Sequence, residues 1–553
     1  MKTYTGAEIT IKMLEKSGIK TIAGIPGGTN LPLYDAVKKS SIKHILVRHE
    51  QSAGFIAQGM ARASGQPAFC FATSGPGATN LITAIADAKA DSIPIIAITG
   101  QVSSALQGTD AFQEINIIDM CRTITKKTFV PKQAKDLLKI IPEAFNIAKQ
   151  GRPGPVLIDI PKDIQLERIQ VKCFPEIKPV DSLPISFSDT VFKKAADLIN
   201  NATKPVFFIG GGMQNEKAID ALSSFCNKNK IPITCSLMGL GTWEADSNLF
   251  LGMAGMHGSI RANFALNKAD LVIALGVRFG DRSTGKTNLF CPNAKVIHVD
   301  IDKNELNKII KADVSVNCNA SMFLTMIFPF IKETNHDAWR QNLRSLKDNV
   351  FAGTQKRVYN IINSLPDDCI ITTDVGQHQM WAAQTFNLKG PRRFLTSGGL
   401  GTMGFGLPAA IGAALHFPEK TIVCFSGDGS ILMNIQEFAT LRDLDLNVKV
   451  IILNNSSLGL VRQQQTLFYN AKLFASEYQS GHDFVEIAKA FGLNGFRIND
   501  FNDALPFIYS KGARILEMII DRNDNVFPIV TPGKSNVDQI CQDTLQCART
   551  IRD

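Results

Sequence analysis

Short apolar runs of strand length, each followed by a segment long enough for a helix, recur along most of the chain. This alternation constrains the fold more than any other feature. The first series is Thr21-Ile-Ala23, His44-Ile-Leu-Val47, Ala68-Phe-Cys-Phe71, Ile95-Ile-Ala-Ile98 and Val156-Leu-Ile-Asp-Ile160. The runs are largely continuous in apolar character, which marks strands buried on both faces, as in a parallel sheet covered by helices. A polar, Pro-containing stretch from Phe174 to Ser188 interrupts the pattern, which resumes at Pro205-Val-Phe-Phe-Ile209, Leu271-Val-Ile-Ala-Leu275 and Val296-Ile-His-Val299. A charged helical stretch from Lys332 to Lys356 leads to a third series at Ile370, Thr421, Val448 and Arg514. Three α/β domains follow, at 1–173, 189–331 and 357–553, and 553 residues are in any case too many for one core.

Charge and cysteine usage narrow the function classes. The 59 basic and 50 acidic residues are dispersed, with no long Lys/Arg block, so nucleic acid is not an expected partner. Eleven cysteines lie scattered without a CxxC pair, several inside apolar runs as buried thiols do, which suits a reducing compartment. The start, Met1-Lys-Thr-Tyr-Thr-Gly-Ala-Glu8, has no apolar leader, and the longest apolar run, near Met322 to Ile331, is far short of a membrane span. A soluble cytoplasmic protein with no membrane partner is expected.

One pair of motifs carries chemistry. Phe425-Ser-Gly-Asp-Gly-Ser-Ile-Leu-Met-Asn434 follows the run Thr421-Ile-Val-Cys424, and 24 residues separate Gly429 from Asn454-Asn455 at the end of the next run. In a parallel βαβ unit both strand ends reach the same edge, so Asp428 and Asn455 converge. One carboxylate, one amide oxygen and the Ser457 carbonyl suit Mg2+, with room left for a diphosphate against the flanking glycines. An Asx turn closing an ordinary βα connection is the alternative for Gly-Asp-Gly alone. A fainter echo links Thr73-Ser-Gly-Pro-Gly-Ala-Thr79 with Thr396-Ser-Gly-Gly-Leu-Gly-Thr402, which close helix packing explains equally well.

Gly427-Asp-Gly429 with Asn454-Asn455 resembles the signature of thiamine-diphosphate-dependent enzymes. Within that superfamily, Arg48-His-Glu50, Thr73 to Asn80, Gly108-Thr-Asp-Ala-Phe-Gln-Glu114, Gly151-Arg-Pro-Gly-Pro-Val156, Gly255-Met-His-Gly258, Asp374-Val-Gly-Gln-His-Gln-Met-Trp381 and Gly398 to Gly404 resemble the large catalytic subunit of acetolactate (acetohydroxyacid) synthases. These motifs fall in all three domains. The resemblance implies three flavodoxin-like α/β domains, for the thiamine pyrimidine, for FAD, and for diphosphate with Mg2+. It implies decarboxylation of pyruvate and transfer of the two-carbon unit to a second 2-keto acid, giving 2-acetolactate and, from 2-ketobutyrate, 2-aceto-2-hydroxybutyrate, in branched-chain amino-acid biosynthesis. Partners implied are the 2-keto acids, further copies in a homodimer or tetramer with shared active sites, and a small regulatory subunit.

The resemblance also implies site residues. Glu50 is the carboxyl that shares a proton with the aminopyrimidine, and Met403 the bulky residue that bends thiamine. Gln377 and His378 contact the diphosphate; Gly27, Gly28, Gly401, Gly427, Gly429 and Ser430 complete the thiamine diphosphate contacts, and Asp428, Asn455 and Ser457 hold the metal. Arg152, Gly211, Gly212, Leu237, Met238, Met256, His257, Arg278, Asp300 and Asp302 correspond to FAD contacts, the flavin doing no net redox work. Arg282 grips the second keto acid's carboxylate, as a guanidinium does well, and Gln113 and Lys126 line the entrance. Ordinary structural roles compete throughout: a solvated or capping Glu50, a core Met403, a satisfied His378, a tight turn at Gly210-Gly-Gly212, and a surface pair of Arg282 with Asp281. Two departures stand out: Cys318-Asn319 in place of the family's Gly-Asp, and Gln464 in place of the common Trp. They leave open a carboligase with a different acceptor, such as a keto-sugar. A non-catalytic paralogue would be expected to lose Glu50, Asp428 or Asn455, and all three are present.

Overall fold

The computed structural model describes residues 1–176, 189–347 and 350–542. Three six-stranded sheets, every pairing in them parallel, form the frame. The first holds Thr21–Gly24, Lys43–Leu46, Ala68–Ala72, Ile95–Gln101, Lys127–Phe129 and Val156–Pro161. The second holds Pro205–Ile209, Ile233–Cys235, Phe250–Met253, Leu271–Leu275, Lys295–Asp300 and Val314–Asn317. The third holds Ile370–Thr373, Phe394–Leu395, Ile422–Gly427, Val448–Asn454, Gly495–Arg497 and Arg514–Ile519. Each expected strand is present, and its central residues are buried on both faces, as continuous apolar runs require, except in the edge strand Lys43–Leu46, where Leu46 is exposed.

Numbered within each domain, the strands of the first and third sheets lie in the order 2-1-3-4-6-5, and those of the second in the order 3-2-1-4-5-6. The flavodoxin-like expectation therefore suits the outer two domains and is corrected for the middle one, which has the other doubly wound order, the one associated with dinucleotides. The reason lies in short strands, Ile233–Cys235 and Phe250–Met253, added outward beside Pro205–Ile209. The shared order of the outer domains also shows that the Thr-Ser-Gly echo is not positional. Thr73-Ser-Gly75 follows the third strand of its sheet, whereas Thr396-Ser-Gly398 follows the second.

Helix Glu50–Ser64 of the first domain packs against helix Gly406–His416 of the third, each following the second strand of its sheet. Both are rich in Ala and Gly, so their backbones approach closely: a Cβ on Gly59 would strike the Ala409 carbonyl, and one on Gly412 the Ile56 carbonyl. Phe55, Ala84, Phe405 and Ala409 close the seam. Of the Phe174 to Ser188 connector, 177–188 lies outside the described residues, as does 543–553. Among the described residues nine cysteines are free, eight of them buried; Cys541 departs from the free-thiol expectation in being disulfide-bonded. Among the described residues no helix is long and apolar enough to cross a membrane.

Candidate active site

Strands Ile422–Gly427 and Val448–Asn454 are adjacent and in register, Gly427 opposite Leu453, so their ends deliver Asp428 and Asn455 to one place as expected. Asp428 Oδ2 accepts from the Ser457 amide at 3.2 Å, and Asn455 Oδ1 accepts from the same amide at 3.1 Å and from the Ser457 hydroxyl at 3.0 Å. Burial pushes the Asp428 carboxyl up to about 6, the response of an acid withdrawn from water without a full counter-charge. The turn between them needs Ser456 at φ +52°, and Asn454 stabilises it by accepting from the Ser456 amide.

Gln377 and His378 begin the helix after the first strand of this sheet and reach the same edge. Gln377 accepts from Asn455 Nδ2 at 3.2 Å and donates to Gln463 and to the Asp524 carbonyl. The His378 ring is wedged between backbones: a Cβ on Gly427 would lie 2.9 Å from its Nδ1, and one on Gly376 2.9 Å from its Cε1. Burial holds this imidazole neutral, its titration pushed down to about 3, and its buried Nε2 has no hydrogen-bond partner among the described residues. A buried polar atom left unsatisfied calls for an explanation, and a ligand position is one that suits the carboxyl end of a parallel strand. Ser430 donates to the Val375 carbonyl at 2.8 Å, and Gly429 faces the Tyr478 hydroxyl, 2.5 Å from where a Cβ would stand. Gly401, at φ +71°, has only Val375 Cγ1 near, 4.0 Å from where a Cβ would stand, and Met403, two residues on, is half-buried.

Glu50 opens its helix behind His49, whose ring accepts from the Gln51 amide. Its carboxyl is buried, accepts from Asn80 Nδ2 at 2.9 Å, and faces Gly77. Gly27 presses on Thr73, Gly28 faces open space, and Gln113, at φ +62°, closes over Gly75. Among the described residues no hydrogen bond joins this first-domain group to the Asp428 cluster: the partners of Glu50 come from its own domain, those of Asp428 from the third.

A cavity of about 1340 Å³ lies where the first, second and third domains meet. Arg152, Gly211, Gly212, Leu237, Met238, Arg278, Arg282 and Asp300 line it, together with Asn319. It sits at the switch point of the middle sheet, beside its first and fourth strands, where doubly wound folds take nucleotides. A Cβ on Gly212 or Gly276 would collide with the other's backbone, so the turn admits nothing larger. Burial lifts the Asp300 carboxyl to about 6. Asp302 is not in the lining but ion-pairs with Arg152 at 3.3 Å, and Glu305, which the motifs do not mark, takes the same guanidinium at 2.7 Å. Met256 and His257 lie outside the cavity. Met256 borders a small pocket with Arg282 and Val530, and His257, kept neutral with its titration near 4 by burial, bonds the Pro528 carbonyl. Arg282 is largely exposed and pairs with Asp281 at 3.1 Å. Lys126 donates to the Gln150 carbonyl at 2.6 Å, its ammonium lowered to about 8 by burial first and Lys89 second. Gln464 is half-buried on helix Gly459–Phe468 beside the buried Gln463.

The domains match three family models: "Thiamine pyrophosphate enzyme, N-terminal TPP binding domain" over 4–120, "central domain" over 192–327 and "C-terminal TPP binding domain" over 374–511. Fold, edge chemistry and these matches define the class, thiamine-diphosphate enzymes. Two relatives from Escherichia coli, the large subunits of acetolactate synthase isozymes 1 and 2, are 47% and 43% identical, covering 98% and 97% of this chain and 98% and 99% of their own. A probable acetolactate synthase large subunit from Methanocaldococcus jannaschii is 42% identical over 96% of this chain and 94% of its own. The chain belongs to the acetolactate synthase large-subunit family.

Proposed function

We propose that this chain is the catalytic subunit of an acetolactate synthase, decarboxylating pyruvate and transferring the two-carbon unit to a second 2-keto acid in branched-chain amino-acid synthesis. The observation that carries the reading is the joint survival of Glu50 and the buried Asp428-Asn455-Ser457 cluster in a chain that matches such subunits nearly end to end.

Thiamine diphosphate, when bound, supplies the acidic thiazolium carbon at which a 2-keto acid is attacked and decarboxylated. The chain does the rest. Asp428, Asn455 and the Ser457 carbonyl hold Mg2+; His378 Nε2, with Gln377, Gly427, Gly429 and Ser430 around it, meets the diphosphate. Glu50, oriented by Asn80, keeps a proton within reach of the pyrimidine nitrogen, and Gly27, Gly28, Gly401 and Met403 border the ring system. Arg282 takes the acceptor's carboxylate, with Gln113, Lys126 and Gln464 about the entrance. FAD fits the large cavity, whose volume exceeds the roughly 300 to 1,000 Å³ typical of drug-sized ligands, held by Arg152, Gly211, Gly212, Leu237, Met238, Arg278 and Asp300. The domains run over 1–173, 189–331 and 357–553, the assembly is a homodimer or tetramer that takes a small regulatory subunit, and the site is cytoplasmic.

Purified protein supplied with thiamine diphosphate, Mg2+ and FAD should convert pyruvate to acetolactate. With equal pyruvate and 2-ketobutyrate as acceptors the product ratio should stay near one, because Gln464 lacks the flat apolar face an indole would offer an extra methylene. A preference for the longer product by about tenfold or more, roughly 1.4 kcal/mol, would remove Gln464 as the determinant. Carbon dioxide release without either product would sink the assignment.

A further inference from the structure

Between the cavity and the loop carrying Met403 lies a buried charge cluster for which the proposed chemistry has no use. Arg62, on helix Glu50–Ser64, pairs with Asp87 at 3.1 Å and Asp91 at 2.9 Å, donates to the Thr396 carbonyl at 2.8 Å, and stacks over Phe405 at 4.9 Å. One guanidinium faces two carboxyl groups away from water, and desolvation raises the Asp87 carboxyl. Such a cluster is tolerated only where further donors satisfy it.

Those donors all belong to the third-domain loop 396–404. Asp91 accepts from the Gly398 amide at 2.9 Å and the Gly399 amide at 2.7 Å. Asp87 accepts from the Ser397 hydroxyl and, at 2.9 Å, from the Thr402 hydroxyl. On the other side Asp374, of the third domain itself, accepts from the Gly404 amide at 2.7 Å. Met403 is therefore bracketed by two anchored neighbours, Thr402 on a first-domain carboxylate and Gly404 on a third-domain one. Arg62, Asp91, Gly398 and Gly399 also form part of the cavity wall, where a side chain on Gly398 would strike the Met238 sulfur.

We infer that Arg62, Asp87 and Asp91 form a positioning clasp that sets the Met403 loop and couples filling of the cavity to thiamine diphosphate binding. The inference rests on the functional reading above. A ligand in the cavity leans on the wall that Asp91 holds, and the same wall continues through Ser397 and Thr402 to Met403, so ordering one end orders the other.

The test titrates thiamine diphosphate with Mg2+ by calorimetry, with and without saturating FAD, on the full-length protein and on Asp91→Asn, Thr402→Val and Thr402→Ser. An asparagine cannot accept with both side-chain atoms, and valine removes only the Thr402 hydroxyl. In the unaltered protein FAD should tighten thiamine diphosphate binding about fivefold or more, within the usual span of coupling. Asp91→Asn and Thr402→Val should bring that factor close to one while FAD still binds, Thr402→Ser should restore it, and kcat should fall in Thr402→Val with KM for pyruvate nearly unchanged. Thr402→Val, a small change on a half-buried loop, decides the matter should Asp91→Asn fail to fold. Retention of the factor in Thr402→Val, or its absence from the unaltered protein when both cofactors bind, overturns the clasp and leaves the functional reading standing. Failure of the unaltered protein to bind either cofactor overturns both.

Discussion

The first and third domains have the same strand order and put different chemistry at the same sheet edge. After the second strand the first domain gives Glu50 and its helix, and the third gives the 396–404 loop and helix Gly406–His416. After the third strand come Thr73-Ser-Gly75 in one and Gly427-Asp-Gly429 in the other, and after the fourth, Gln101 and Asn454-Asn455. One frame thus presents hydroxyls and the buried Glu50 carboxyl, the other a buried carboxylate, two amides and turn glycines. The loops also differ in what holds them. The Thr29 hydroxyl, from the same domain, holds the first-domain loop by neutral bonds to Thr73 at 2.9 Å and Ser74 at 3.1 Å, and accepts from the Ser74 amide. The third-domain loop is held at its ends by its own domain, through Gln379 at Thr396 and Asp374 at Gly404, and between them by charged groups borrowed from the first. A domain that builds its own loop can order it alone; one that borrows part of its anchoring is fully ordered when the two are packed together.

That difference can be broken, and the largest effect should come from the borrowed side. Arg62→Leu leaves two buried carboxylates unpaired and should cost roughly 3 to 5 kcal/mol in denaturant unfolding. Thr29→Val leaves neutral groups unsatisfied and should cost roughly 1 to 3 kcal/mol; equal losses would erase the contrast. Within the first domain, Gly27→Ala puts a methyl about 2.5 Å from the Thr73 side chain and should cost about 1 to 3 kcal/mol by overpacking. Gly28→Ala, with nothing within 4 Å of the new carbon, should stay within about 0.5 kcal/mol, so that any effect on it appears in thiamine diphosphate affinity instead.

The strands of all three domains and the meeting of Asp428 with Asn455 were legible because both rest on local pattern: continuous apolar runs and polar residues where those runs end. The clasp was not, because Arg62, Asp87 and Asp91 sit in Ala-rich helices and gain meaning only when helices from two domains pack. The one signal was Asp87 and Asp91 four residues apart on one helical face, a like-charge spacing that disfavours a helix unless a cation answers it. The order of the middle sheet was equally hidden, since Ile233–Cys235 and Phe250–Met253 are three and four residues long and carry little periodicity. Tyr478 and Glu305 reach their sites from outside every recognised motif.

The central claim is that Glu50 and Asp428, whose hydrogen-bond partners lie in separate domains, serve one active site assembled from two chains. Glu50→Gln should lower acetolactate formation by about 10² to 10⁴ through loss of proton transfer, and Asp428→Ala should abolish it through loss of the cation. Co-expression of the two inactive variants under separate tags, with mixed oligomers purified, measures the claim directly. A purified mixed dimer keeps one undamaged site of two, so about half of the unaltered activity should return. Verified mixed oligomers with no activity above that of either variant would contradict the claim and place both residues in the site of a single chain.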